Sequence, residues 1–135
     1  MPFTVSVIDE VGYDLLDEER ATTLGAAAFR ARELDLDRMG EASVVLVKSE
    51  TIKDLNREFR RIDAPTDVLS FEFDGPYGEI VGEIVISPEC ASPEMGVEEL
   101  VVHGALHLSG MDHGEDFESS EMAAVQKSVL ERARG

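Results

Sequence analysis

One cysteine stands in the 135-residue chain, Cys90, so no disulfide can close within it. A lone thiol fits a reducing compartment, and Cys90 reads as a small buried apolar residue rather than a nucleophile. Basic residues are also scarce: 12 lysines and arginines stand against 29 aspartates and glutamates, a net charge of −17. Lys and Arg contacts to phosphates supply most non-specific affinity for nucleic acid, which argues against a protein that coats RNA or DNA broadly. A local basic groove survives that objection, because the field in a cleft follows the charges nearest to it. No apolar run approaches the roughly 18 residues of a membrane span. The opening MPFTVSVIDE lacks the basic-then-apolar pattern of a secretory signal, so a cytoplasmic location away from membranes is expected. Internal repeats, low-complexity tracts and Gly/Ser linkers are missing too. With 43% hydrophobic and 30% charged residues, the expectation is one domain, residues 1–135, around one core.

What is present reads as four strands and four helices. Phe3, Val5 and Val7 alternate with polar residues in a first strand, Phe3–Ile8. A helix follows over Asp17–Glu33, where Leu24, Ala27, Ala28 and Ala31 recur at helical spacing. Ala42–Lys48 (ASVVLVK) is β-branched and reads as a strand buried on both faces. Ser49 is placed to cap a second helix, with Ile52, Leu55 and Phe59 on one stripe and an end near Arg61. Val68–Phe73 and Ile80–Ser87 flank a turn at Asp74–Gly75–Pro76 and are expected to pair antiparallel. Ser92 and Pro93 look like the N-cap and first position of a third helix that runs through Val97–Leu108 to Gly110. A last helix, Asp116–Arg134, turns Met122, Val125, Val129 and Leu130 inward. Strands and helices that do not alternate regularly predict an α+β fold with a mixed sheet of about four strands packed against helices.

All three histidines fall within eleven residues, HGALHLSGMDH. His103 and His107 are four apart on the predicted third helix, which places one imidazole a turn above the other on the same side. Gly110 can take positive φ, end the helix and turn the chain back, bringing His113 to the same point. Three imidazoles and a water complete a tetrahedral site with an open position, the pattern of catalytic zinc. One zinc ion per chain is therefore expected, although imidazoles also suit nickel, copper and iron. The spacing is that of the metzincin motif HExxHxxGxxH, with one departure: Gly104 stands where the protease carries its general base. A conventional zinc peptidase is thus disfavoured. Asp112 is the expected partner for the outer N–H of a ligating imidazole, or a turn former.

A second constellation, Leu55–Phe71 (LNREFRRIDAPTDVLSF), carries Arg57, Arg60 and Arg61. By itself it describes a solvated basic helix end, favourable to the helix dipole. Taken with the histidine segment, the chain resembles the YbeY family, whose LNxxFRxxDxPTDVLSF pattern matches Leu55–Phe71. The family's GDIxIS matches Gly82–Ser87 with Glu83 in place of Asp, and its HGxLHLxGxDH matches His103–His113. Its Met and Gln on the closing helix correspond to Met122 and Gln126. The resemblance implies a zincin-like metal site and endoribonuclease activity on single-stranded RNA. It further implies maturation of the small-subunit (16S) rRNA 3′ end and ribosome quality control, with the small subunit or its assembly factors as partners. It carries the metal ligands over to His103, His107 and His113, and the catalytically important arginine to Arg60.

For such a reaction the proton acceptor stays open among a second water, the substrate's 2′-hydroxyl and a carboxylate such as Asp67. Two other functions remain in view. A zinc hydrolase of another substrate would share the ligands but need a replacement for the missing base. A non-enzymatic ribosome-assembly factor would use the metal only to hold its fold.

Overall fold

A computed structural model describes residues 3–36, 39–74, 80–113, 117 and 120–134. Among them are the strands β1 (Val5–Asp9), β2 (Met39–Leu46), β3 (Val68–Asp74) and β4 (Ile80–Ile86). The helices are α1 (Glu18–Ala31), α2 (Ser49–Arg60), α3 (Val97–Leu108) and α4 (Glu121–Arg134). The sheet order is β1-β2-β4-β3; β1, β2 and β4 run parallel and β3 is antiparallel to β4. This is the expected mixed sheet of an α+β fold. The turn expected after Asp74 lies outside the described residues, as does the expected start of the last helix at Asp116; α4 is described from Glu121.

Strand alternation divides the core in two. Val5, Ala42, Val44, Leu46, Ile84 and Ile86 share one cluster with Leu24, Phe29, Leu100, Leu106, Met122 and Val129 from α1, α3 and α4. Val45, Val47, Leu69 and Val85 point the other way and pack on Ile52 of α2. Helices thus cover both faces of β2, which is why Val44, Val45 and Leu46 are apolar in succession. The β1 edge is less protected, and Ile8 there is exposed.

Helix starts depart from expectation where capping competes with turns. At α1 the reading is close: Asp17 Oδ1 accepts from Arg20 N at 2.7 Å, an N-cap bond, with Glu18 and Glu19 in the first turn. Ser49, however, lies inside α2; the cap is Lys48, with no side-chain bond. Ser92 does not start α3 either. Its hydroxyl accepts from Met95 N at 3.1 Å and closes a separate turn, and the helix begins after Gly96. A Ser-Pro pair serves a local turn as well as a helix, so the same signal had two readings. Phe59 is not part of the α2 core stripe: it is 59% exposed and rests edge-on against Phe71 at 5.2 Å between ring centroids. Cys90 is half-buried in a single 3-10 turn, Pro88–Cys90, rather than fully buried.

Candidate metal centre and cleft

Helix α3 carries His103 and His107 one turn apart, with ring centroids 4.8 Å from each other. The helix ends in a Schellman arrangement: Met111 N donates to Leu106 O and Gly110 N to His107 O, each at 3.0 Å. Gly110 sits at φ 101°, a conformation that costs an L side chain dearly. That reversal brings the His113 ring to within 5.2 Å of His103 and 5.4 Å of His107. One nitrogen from each histidine lies within 4.8 Å of the other two. The three can hold a metal ion. Phe117, which the sequence reading did not single out, closes one side by packing edge-on against His103 and His113 at 4.8 and 4.9 Å.

The missing protease base has a packing cause. A Cβ on Gly104 would lie 2.5 Å from Ile84 Cγ2 and 3.1 Å from Ser70 Oγ. One on Gly82 would lie 2.5 Å from Leu108 Cδ1. The two glycines let α3 press onto β3 and β4, and Ser70 Oγ donates to the Gly104 carbonyl at 3.1 Å. Position 104 therefore faces the sheet, where a glutamate has no room. Alternation between Gly82 and Ile84, which both face α3, turns Glu83 to the α2 side of the sheet. The Asp-to-Glu departure at that position is on the face opposite the histidines.

Hydrogen bonds set the tautomers of His103 and His107. His103 Nδ1 lies 3.0 Å from Gln126 Oε1, and His107 Nδ1 lies 3.0 Å from the Met111 carbonyl oxygen. Both oxygens are acceptors, so each Nδ1 carries the hydrogen. In neutral rings both Nε2 atoms are then bare lone pairs, yet they stand 3.2 Å apart. Two acceptors at that distance repel unless a cation lies against both. A proton is a poor candidate: burial, reinforced by the neighbouring imidazoles, pushes His103 down to about 4. Burial also lowers His107, with His113 and the charge of Arg60 acting in the same direction. Neutral nitrogen donors converging on one point fit a metal ion of the zinc type. Asp112 does not take the partner role expected of it. It is 88% exposed, stays 4.0 Å from His107 Nδ1, and accepts from His113 N at 2.8 Å as a turn residue does.

The histidines lie in an open cleft of about 920 Å³, whose walls include Arg60, Asp67, Ser70 and Met95. Arg60 comes from the last turn of α2 and Asp67 from just before β3. Left-handed Arg61 (φ 59°) and the bond from Asn56 Nδ2 to Ala64 O at 2.9 Å shape the connection between them. The structure thus places Arg60 and all three histidines on one cleft. Among the described residues, no helix is long and apolar enough to cross a membrane.

The family model described as Endoribonuclease YbeY matches residues 14–134. An endoribonuclease YbeY from Rubrobacter xylanophilus is 67% identical over 136 residues, spanning 100% of this chain and 99% of its own length. One from Mycolicibacterium smegmatis is 34% identical over 148 residues, spanning 95% of this chain and 82% of its own length. The solution structure of TM1509 from Thermotoga maritima superposes with a TM-score of 0.51 at 28% identity, over 96% of this chain and 88% of that one.

Proposed function

Because the chain belongs to the YbeY endoribonuclease family, we propose that it is a zinc-dependent endoribonuclease that cuts single-stranded RNA. In this reading it matures the 3′ end of 16S rRNA and takes part in ribosome quality control in the cytoplasm, working on the small subunit or with its assembly factors. The observation that carries the metal dependence is the pair of bare Nε2 atoms 3.2 Å apart, which calls for a cation that a proton cannot easily supply. His103, His107 and His113 would hold one ion. Such an ion would supply Lewis acidity towards a phosphoryl oxygen or a water molecule.

The remaining work falls to the cleft walls. Arg60 presents a planar fork of N–H donors that suits two phosphate oxygens at once. Its place on the cleft of the histidines bears on the charge objection, since a cation there acts locally within a chain of net charge −17. Asp67 is the carboxylate, of the proton acceptors considered, that lines the same cleft, and its charge acts on His103. Hydrolysis of a phosphodiester needs such an acceptor for the proton of the attacking oxygen.

The test is cleavage of a single-stranded RNA oligonucleotide and its duplex. The wild type should cut the single strand, lose activity to a chelator and regain it with zinc. Arg60→Ala should keep its metal and lose about 10–100-fold in kcat/KM, the worth of a charge-assisted phosphate contact. Full metal loading without any cleavage would contradict the proposal and favour a metal-stabilised assembly factor.

A further inference from the structure

We propose that Gln126 is a positioning residue for the metal site, locking His103 in the tautomer that offers Nε2 to the ion without adding negative charge. This rests on the metal-dependent reading above. Gln126 comes from α4 and is buried, at 6% exposure. Its Oε1 accepts from His103 Nδ1 at 3.0 Å, while its Nε2 donates to Met95 Sδ at 3.2 Å.

The thioether decides the orientation of the amide. Sulfur accepts weakly and has no hydrogen to give, so the NH₂ end must face Met95 and the carbonyl end His103. Were the amide to turn over, its NH₂ would meet Nδ1, the imidazole hydrogen would move to Nε2, and the nitrogen facing the site would be closed to a metal. Met95 is held in turn by the Ser92–Met95 turn that precedes α3. The chain of contacts therefore runs from a loop through a helix to a ligand nitrogen.

Charge gives the second half of the inference. Ligating imidazoles are commonly backed by a carboxylate, which raises their basicity and offsets the ion's charge. Here the two defined backing atoms, Gln126 Oε1 and Met111 O, are both neutral. Asp112 stands off at 4.0 Å and is solvated. Neither backing atom offsets the charge of a dication held by His103 and His107. That favours an anionic substrate such as a phosphodiester over a neutral amide, in a protein whose overall field repels anions.

The experiment is a zinc titration of metal-stripped protein against a chromogenic chelator, with folding followed by circular dichroism. Gln126→Met, similar in length but without the acceptor, should bind zinc about 10–100-fold more weakly. Gln126→Glu keeps the acceptor and should hold zinc at least as tightly as the wild type, yet raise KM for single-stranded RNA. Unchanged affinity in Gln126→Met, or equal losses in both variants, would overturn the proposal, since a purely structural role is not rescued by glutamate. If Gln126→Met does not fold, Met95→Leu leaves the amide in place and unlocks it; affinity equal to wild type there would overturn the lock. A wild type that binds no zinc would instead remove the metal-dependent reading itself.

Discussion

Gly104→Ala isolates the contact that sets α3 against the sheet. The added Cβ would lie 2.5 Å from Ile84 Cγ2, whereas carbon pairs settle near 3.5–4.0 Å, so roughly 1 Å of movement is required. Ile84 cannot supply it cheaply. It is buried and β-branched, and β4 is paired on both sides there, with Val44 and Ser70 as its partners. Overpacking of this kind costs about 1–3 kcal/mol. Alanine repays about 1 kcal/mol through helix propensity. With a stiff neighbour the upper half of the range applies, for a net loss of about 1–2 kcal/mol. In a chain of this size that corresponds to a melting temperature lower by about 3–8 °C. Thermal unfolding followed by circular dichroism reads it directly. Repeating the substitution in an Ile84→Ala background should shrink or reverse the loss, as a double-mutant cycle across a real contact requires. A Gly104→Ala protein as stable as wild type, or more so, would show that helix propensity governs the position and that the close approach is immaterial. Gly104→Glu follows from the same geometry: it restores the protease motif in sequence but should yield a poorly folded protein with no peptidase activity.

Metal-stripped protein should lose stability as pH is lowered below about 7. The unfolded chain protonates His103 near 6.5 while the folded chain resists until about 4, so the unfolded state binds more protons across that window. A urea midpoint that holds steady between about pH 7 and pH 5 would contradict this. Glu98 makes the complementary case at lower pH. Two hydrogen bonds from Arg20, at 2.9 and 3.0 Å, hold its carboxyl below the usual range, so its contribution is present above 4.5 and lost as pH falls through the folded value. Because both side chains are about one-third exposed, Glu98→Gln should cost under about 1 kcal/mol at neutral pH, and the difference from wild type should close in acid. Asp17→Ala should cost about 1 kcal/mol by removing the α1 cap, with Asp17→Asn nearly neutral; equal losses in both would point away from capping.

The parts of the fold that depend on one residue's neighbours in sequence were legible, and those set by neighbours in space were not. ASVVLVK announced a strand covered on both faces, and the four-residue spacing of His103 and His107 with Gly110 behind them announced a convergent ligand set. Phe59 followed the helical stripe on paper, but α2 ends at the sheet edge and leaves it outside. Ser92 carried a capping signal that a local turn consumed. The partners of the imidazoles were the largest gap. Proximity in sequence pointed to Asp112, whereas the helix reversal hands His107 to the Met111 carbonyl and α4 brings Gln126 to His103. Gly104 could be seen to lack the protease carboxylate, but only the packing of Ile84 against it explains why.

Bound metal in untagged protein, counted beside cleavage of single-stranded RNA, tests the central claim most directly. About one zinc per chain in the wild type, with metal and cleavage both lost in His107→Ala while its helical signal persists, is the predicted result. Wild-type protein that cuts RNA just as fast with no metal bound would contradict the account.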